Sequence, residues 1–178
     1  MKSSVSRRWF CLGSLTALGG CGFQPVYMPT ASGAAGPAHR ELAAVNVPVI
    51  PDRPGQLMRQ ALQERFGNDS GSVPMKYDLN VSFSVAGEGV GIEANDIATR
   101  IRLIGTATYS LHARDPKRTE LTSGGARALD GVNIFDSQYF AADLEVEAET
   151  KRIAENIATQ IAMQLAVWFR EQADKKAA

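Results

Sequence analysis

The chain has 178 residues with 19 basic and 19 acidic side chains, 44% hydrophobic residues and only two cysteines. That length supports one domain with a real core, on the order of two-thirds of its unfolded surface being buried. The charge balance gives no basic excess for a nucleic-acid partner, and two cysteines build no disulfide framework.

The first 20 residues read as an export signal. Lys2, Arg7 and Arg8 precede a mostly apolar run from Trp9 to Leu18 that is too short to span a bilayer. The segment ends Leu18-Gly19-Gly20-Cys21, with a branched apolar residue three places before the cysteine and two residues without bulk directly before it. This is the pattern of a bacterial lipoprotein signal, in which Cys21 takes an S-diacylglycerol and an N-acyl chain and becomes the first residue of the mature protein. The alternative is a buried or disulfide-bonded thiol, for which the only partner is Cys11, inside the signal itself. Ser6-Arg7-Arg8-Trp9-Phe10 also resembles the twin-arginine export motif, so the Sec and twin-arginine routes both stay open. Gly22, rather than aspartate, follows the cysteine, which by analogy with enteric bacteria directs the protein to the outer membrane, facing the periplasm.

Loss of residues 1–20 removes three basic side chains and no acid, leaving 16 against 19. Residues 21–41 then form a lipidated N-terminus and tether, because "MPTASGAAGPAHR" (Met28 to Arg40) has too few large apolar groups to offset its ordering entropy. The globular domain is expected over 42–178. Its first element is a buried strand in "LAAVNVPVI" (Leu42 to Ile50), and Asp52 then caps a helix whose apolar residues Leu57, Met58, Ala61, Leu62 and Phe66 fall three and four apart. Gly67-Asn68-Asp69 stops that helix.

Tyr77, Leu79, Val81, Phe83 and Val85 alternate with Asp78, Asn80, Ser82 and Ser84, the signature of a strand with one wet face. Gly87, Gly89 and Gly91 read as turn material. A second alternating run sets Ile97, Ile101, Leu103, Ala107, Tyr109 and Leu111 against Arg100, Arg102, Thr106, Thr108, Ser110 and His112. After Asp115-Pro116, Thr119 to Leu129 forms a third strand, and Gln138 to Lys175 a long helix with Ile153, Ile157, Ile161, Leu165, Trp168 and Phe169 on one stripe. The predicted fold class is α+β, two helices packed on one face of a four-stranded, mostly antiparallel sheet.

Catalytic chemistry finds no support. Gly87-Glu88-Gly89-Val90-Gly91 fails the dinucleotide fingerprint, and His39 and His112 are poorly placed as a base or as metal ligands. No cofactor, metal or enzymatic activity is expected, and Glu145, Glu147 and Glu149 read as a solvated helix face. The informative polar feature is the wet sheet face, where Arg100 and Arg102, with Lys117 in the adjoining turn, are either ordinary surface charges or a site for anionic groups such as lipid phosphates.

The run Cys21-Gly22-Phe23-Gln24-Pro25-Val26-Tyr27 resembles the start of the mature LPS-assembly lipoprotein family LptE, in particular its alphaproteobacterial branch. Pro51-Asp52-Arg53-Pro54-Gly55-Gln56 leading into "LMRQALQERF", and the stretch from Asn133 to Leu165, agree with it. The resemblance implies two helices on a four-stranded sheet and a non-enzymatic outer-membrane lipoprotein. Such a protein helps to assemble and plug the barrel LptD, and binds lipopolysaccharide on its way to the cell surface. Arg100, Arg102 and Lys117 are then candidate lipopolysaccharide contacts. The alternative is a free-standing periplasmic lipoprotein, a scaffold or transporter accessory without a barrel. Intact-mass measurement of membrane-extracted protein should show a chain that starts at Cys21 and carries added acyl mass. An unmodified chain, or one starting elsewhere, contradicts the lipoprotein reading.

Overall fold

The structure, a computed structural model, describes residues 36–67, 73–92, 98–133 and 139–177, with side chains at all of these except 90–92, 98–100, 132–133, 139–143 and 177. Cys21 lies outside the described residues, as does the side chain of Arg100. In chain order the elements are α1 (Pro37–Ala43), β1 (Val45–Asn46), α2 (Asp52–Phe66), β2 (Tyr77–Ile92), β3 (Ala98–Ala113), β4 (Glu120–Asn133) and α3 (Tyr139–Ala177). The strands form one sheet in the order β1-β2-β3-β4. β2, β3 and β4 are antiparallel neighbours, and β1 runs parallel to the start of β2 through Val45 and Asn46, opposite Tyr77 and Asp78. The α+β class therefore holds, with a mixed sheet and a third helix.

That third helix replaces the last part of the expected tether. Pro37 sits at the first helical position, where its missing N–H costs nothing, and Ala38 and Leu42, four residues apart, are buried at 1% and 2% exposure. The small residues that suggested a tether fit close against α3 instead. The expected strand over Leu42 to Ile50 shrinks to two residues, because Leu42 and Ala43 complete α1 and Pro48 and Pro51 cannot donate to a ladder. Nor does Asp52 cap α2: no side-chain cap bond forms, and Asp52 itself takes the left-handed conformation, at φ 67°. At the other end Gly67, also at φ 67°, closes the helix, and its N–H reaches the carbonyl of Glu64 at 3.3 Å.

Period-two patterning places the long strands as the sequence implies. Leu79, Leu103, Ala107, Tyr109, Leu111, Ala126 and Ala128 are buried on the face that carries the helices. Against them α3 lays Ile153, Ile157, Ile161 and Leu165, each at 0% exposure. At 39 residues α3 is about 58 Å long, close to the about 53 Å of a 16-residue strand, so one helix can seal the sheet from end to end. The glycines at 87, 89 and 91 are not a turn, since β2 continues through them to Ile92 with register shifts at Gly89 and Gly91.

Helix and sheet meet most tightly at Gly105. A Cβ there would lie 2.2 Å from Cγ2 of Ile153 and 3.1 Å from Cδ1 of Ile157. Isoleucine in a helix has little rotamer freedom with which to yield. Gly105→Ala should therefore destabilise the domain by about 1–3 kcal/mol through overpacking. Ile157→Ala should cost about 2–5 kcal/mol by leaving a cavity, and Glu155→Ala, on the exposed side of α3, little. Chemical denaturation of the three variants checks this; equal losses at all three would mean that α3 does not seat on the sheet at Gly105.

Candidate functional site: the outer face of the sheet

The face turned away from the helices is lined by short polar side chains. Cross-strand neighbours Asn80 and Ser110, Ser82 and Thr108, and Ser84 and Thr106 make successive rows across β2 and β3, and β4 adds Ser123 and Arg127 opposite Ser110 and Thr106. Asn80, Ser82, Ser84, Thr106, Thr108, Ser123 and Arg127 are exposed. Between the strands Asn80, Ser82, Thr108 and Ser110 line a shallow hollow of ≈ 350 Å³. Short hydroxyl side chains leave the sheet flat, so another surface can approach its backbone closely.

Charges gather at the two ends of this face. At one end, Arg102 is exposed on β3 directly opposite Glu88 of β2, and the backbone of Arg100 lies two residues away on the same strand. One row along, Ile104 and Leu129 face each other across β3 and β4, and Leu129 is 56% exposed, an apolar spot between Arg102 and Arg127. Asp78 anchors the other end. The alternation places it on the wet face, yet it is only 7% exposed, because it accepts from Asn46 Nδ2 at 2.7 Å and pairs with Arg114 at 3.3 Å and Arg118 at 3.7 Å. Lys117 is exposed in the turn between those two arginines.

The sequence candidates therefore do not form one site. From Arg102 to the end of β3 at Ala113 the strand covers about 36 Å, and Lys117 lies beyond that end. Arg100 and Arg102 share a strand and Lys117 belongs to the opposite end, so they cannot hold the phosphates of one headgroup together.

On the helix-side face the fold builds a polar cluster that the sequence reading missed. Glu149, read as part of a solvated face, is 9% exposed. Arg152, one turn on along α3, pairs with it and also donates to Asp130 of β4 at 3.1 Å. Burial, with the nearby Asp130 charge, raises the Glu149 carboxyl above the usual range, and Asp130, held by Glu149, the Gly131 N–H and Arg152, is lowered. The i, i+3 spacing of Glu149 and Arg152 was the available signal, but the third member comes from a distant strand. At the opposite end Glu41 accepts from Tyr77 Oη at 3.0 Å and Lys76 Nζ at 3.1 Å, and burial with this bond pushes the Tyr77 hydroxyl up to about 12.

The sequence profile of the lipopolysaccharide-assembly family LptE matches residues 42–165, most of the chain and all of β1 to β4. The chain belongs to the LptE family. The fold is found in solved structures as well. A candidate lipoprotein from Caulobacter crescentus superposes with a TM-score of 0.63 at 22% identity, over 75% of this chain and 96% of that one. Rare lipoprotein B from Shewanella oneidensis gives 0.52 at 12% identity, over 72% and 96%. At those identities the likeness speaks for the fold alone. No curated protein matches this LptE chain significantly.

The polar cluster sets a pH test. Where Glu149 titrates above its unfolded value, the folded state holds the extra proton, so the stability lost to its ionisation returns as pH falls through the raised value; the lowered Asp130 acts in the opposite sense, and its contribution is lost as pH falls further. Glu149→Gln should therefore melt at or above the parent temperature at neutral pH, with the difference vanishing once Glu149 is protonated in mild acid. A variant that melts well below the parent at neutral pH would show that the ionised carboxylate stabilises α3.

Proposed function

We propose that this LptE-family chain is an outer-membrane lipoprotein, held through acyl chains on Cys21, that binds lipopolysaccharide in transit and stands inside the translocon barrel LptD, whose assembly it assists. Membership of a lipopolysaccharide-assembly family is the observation that carries the reading. A flat outer face of exposed hydroxyls supports it, because a polar barrel lumen presents a surface that such a face can meet without burying unpaired charge. In this reading the protein is not an enzyme and acts by binding and by filling space.

Lipopolysaccharide would be met at the Arg102 end of the outer face. There guanidinium groups suited to phosphate oxygens adjoin the apolar spot of Ile104 and Leu129, a pairing that fits a phosphorylated, acylated headgroup. Exposed contacts of this kind are screened over about 8 Å at physiological ionic strength, so binding should weaken as salt is added.

Two measurements test the proposal. A pull-down through a tag at Ala178 should bring down a heat-modifiable barrel, whereas recovery of the chain alone would favour a free-standing lipoprotein. The purified mature chain with Cys21→Ser should bind lipopolysaccharide in a salt-sensitive way, and Arg100→Glu with Arg102→Glu should weaken that binding about tenfold or more while barrel capture persists. Undiminished binding by the double variant would remove these arginines from the site.

A further inference from the structure

The end of the domain that carries Lys117 gathers positive charge from four separate parts of the chain. Lys76 joins them: its N–H bonds the carbonyl of Ala44 behind α1, its carbonyl accepts from the N–H of Arg114 at the end of β3, and its side chain shares a cleft with Pro37 and Arg40. Arg114 and Arg118 hold the turn that presents Lys117. The rings of Tyr77 and Phe169 lie 5.1 Å apart, which brings the last turns of α3 to the same end, with Lys175 and Lys176 exposed on them.

Acidic groups are present there too: Asp78 is turned inward, whereas Asp115 is exposed beside Lys117. Glu41 is engaged by Lys76 and Tyr77, Asp78 is buried beneath two arginines, and Asp115 accepts from the backbone and hydroxyl of Thr119. Glu120, Glu171 and Asp174 are exposed and moderate the field. Lys117, Lys175 and Lys176 have no partner among the described residues and project past the end of the sheet. At the opposite end, on the helix side, the acids are mostly paired: Glu147 with Arg53, and Glu149 and Asp130 with Arg152, while Glu145 is exposed. The first described residues, Gly36 and Pro37, through which the chain arrives from Cys21, lie at the Lys117 end.

We propose that this end is a membrane-facing surface which rests on the headgroups of anionic phospholipids. Each basic side chain near an anionic leaflet strengthens binding by about fivefold, and the attraction decays within a Debye length of about 8 Å. Three lysines on short, exposed ends of structure can reach the headgroups, against the weakening effect of the exposed acids Asp115, Glu120, Glu171 and Asp174. The contact would set the Lys117 end beside the leaflet that holds the anchor, at the mouth of the barrel lumen, with the Arg102 end farthest along that lumen. That orientation rests on Cys21 as the anchor, whereas the contact itself does not.

Co-sedimentation with vesicles tests the contact without the anchor. The mature chain with Cys21→Ser should bind vesicles of phosphatidylethanolamine mixed with phosphatidylglycerol at low salt, release at about 300 mM salt, and ignore phosphatidylcholine vesicles. Adding K117Q, K175Q and K176Q should weaken binding about a hundredfold with an unchanged melting temperature, and the matching glutamate variants should weaken it further. Arg102→Glu should leave vesicle binding intact. Lipopolysaccharide binding by the triple lysine variant should match the parent, which keeps this test separate from that of the Arg102 end. The proposal is overturned if the triple variant sediments like the parent, if neutral vesicles bind equally well, or if Arg102→Glu loses as much as the lysine variants.

Discussion

One contact organises this domain: the seating of α3 along the sheet. Ile153, Ile157, Ile161 and Leu165 lie on a single stripe and lose all their exposure, and the sheet receives two of them over Gly105, where any side chain would intrude. The approach works because four residues of helix advance about 6 Å and two residues of strand about 6.6 Å, so groups on the two elements stay nearly in step for several turns.

That near-match is used a second time along the border of β4. Arg152 reaches Asp130, Gln160 donates to the carbonyl of Arg127 at 3.2 Å, and Gln164 donates to the carbonyl of Gly125 at 3.2 Å while accepting from Tyr109 Oη at 2.7 Å. These helix residues are spaced by multiples of four, and the strand groups step back along β4. The helix thereby satisfies backbone acceptors on an edge strand that would otherwise invite pairing with another chain. Gly124 belongs to this arrangement, since a Cβ there would collide with the Tyr109 hydroxyl at 2.8 Å.

With one face sealed by α3 and α2, function is left to the other face and to the two ends. The outer face is flat and rich in hydroxyls, one end pairs arginine with an apolar spot, and the other collects lysines where the chain arrives. Family membership assigns the domain to lipopolysaccharide assembly. The separation of the two charged ends by most of a strand's length places the basic residues on two distinct surfaces.

Periodicity alone determined which faces of β2, β3 and α3 are buried, because alternation and the helical stripe record the side of each element that avoids water; Leu79, Leu111, Ile157 and Ile161 are all where their spacing puts them. A short run such as Pro37 to Ala43 carries too few apolar residues for any period to register, and α1 exists because α3 is there to cover Ala38 and Leu42. Asp78 was legible as outward-facing but not as buried, since the arginines that cover it come from a turn 36 residues or more further along. The clustering of charge depended on the same kind of long-range information. Arg102 and Lys117 look like neighbours in sequence, but an extended strand advances more than 3 Å with each residue, and only the register of the sheet and the seating of α3 decided which charges share an end of the molecule.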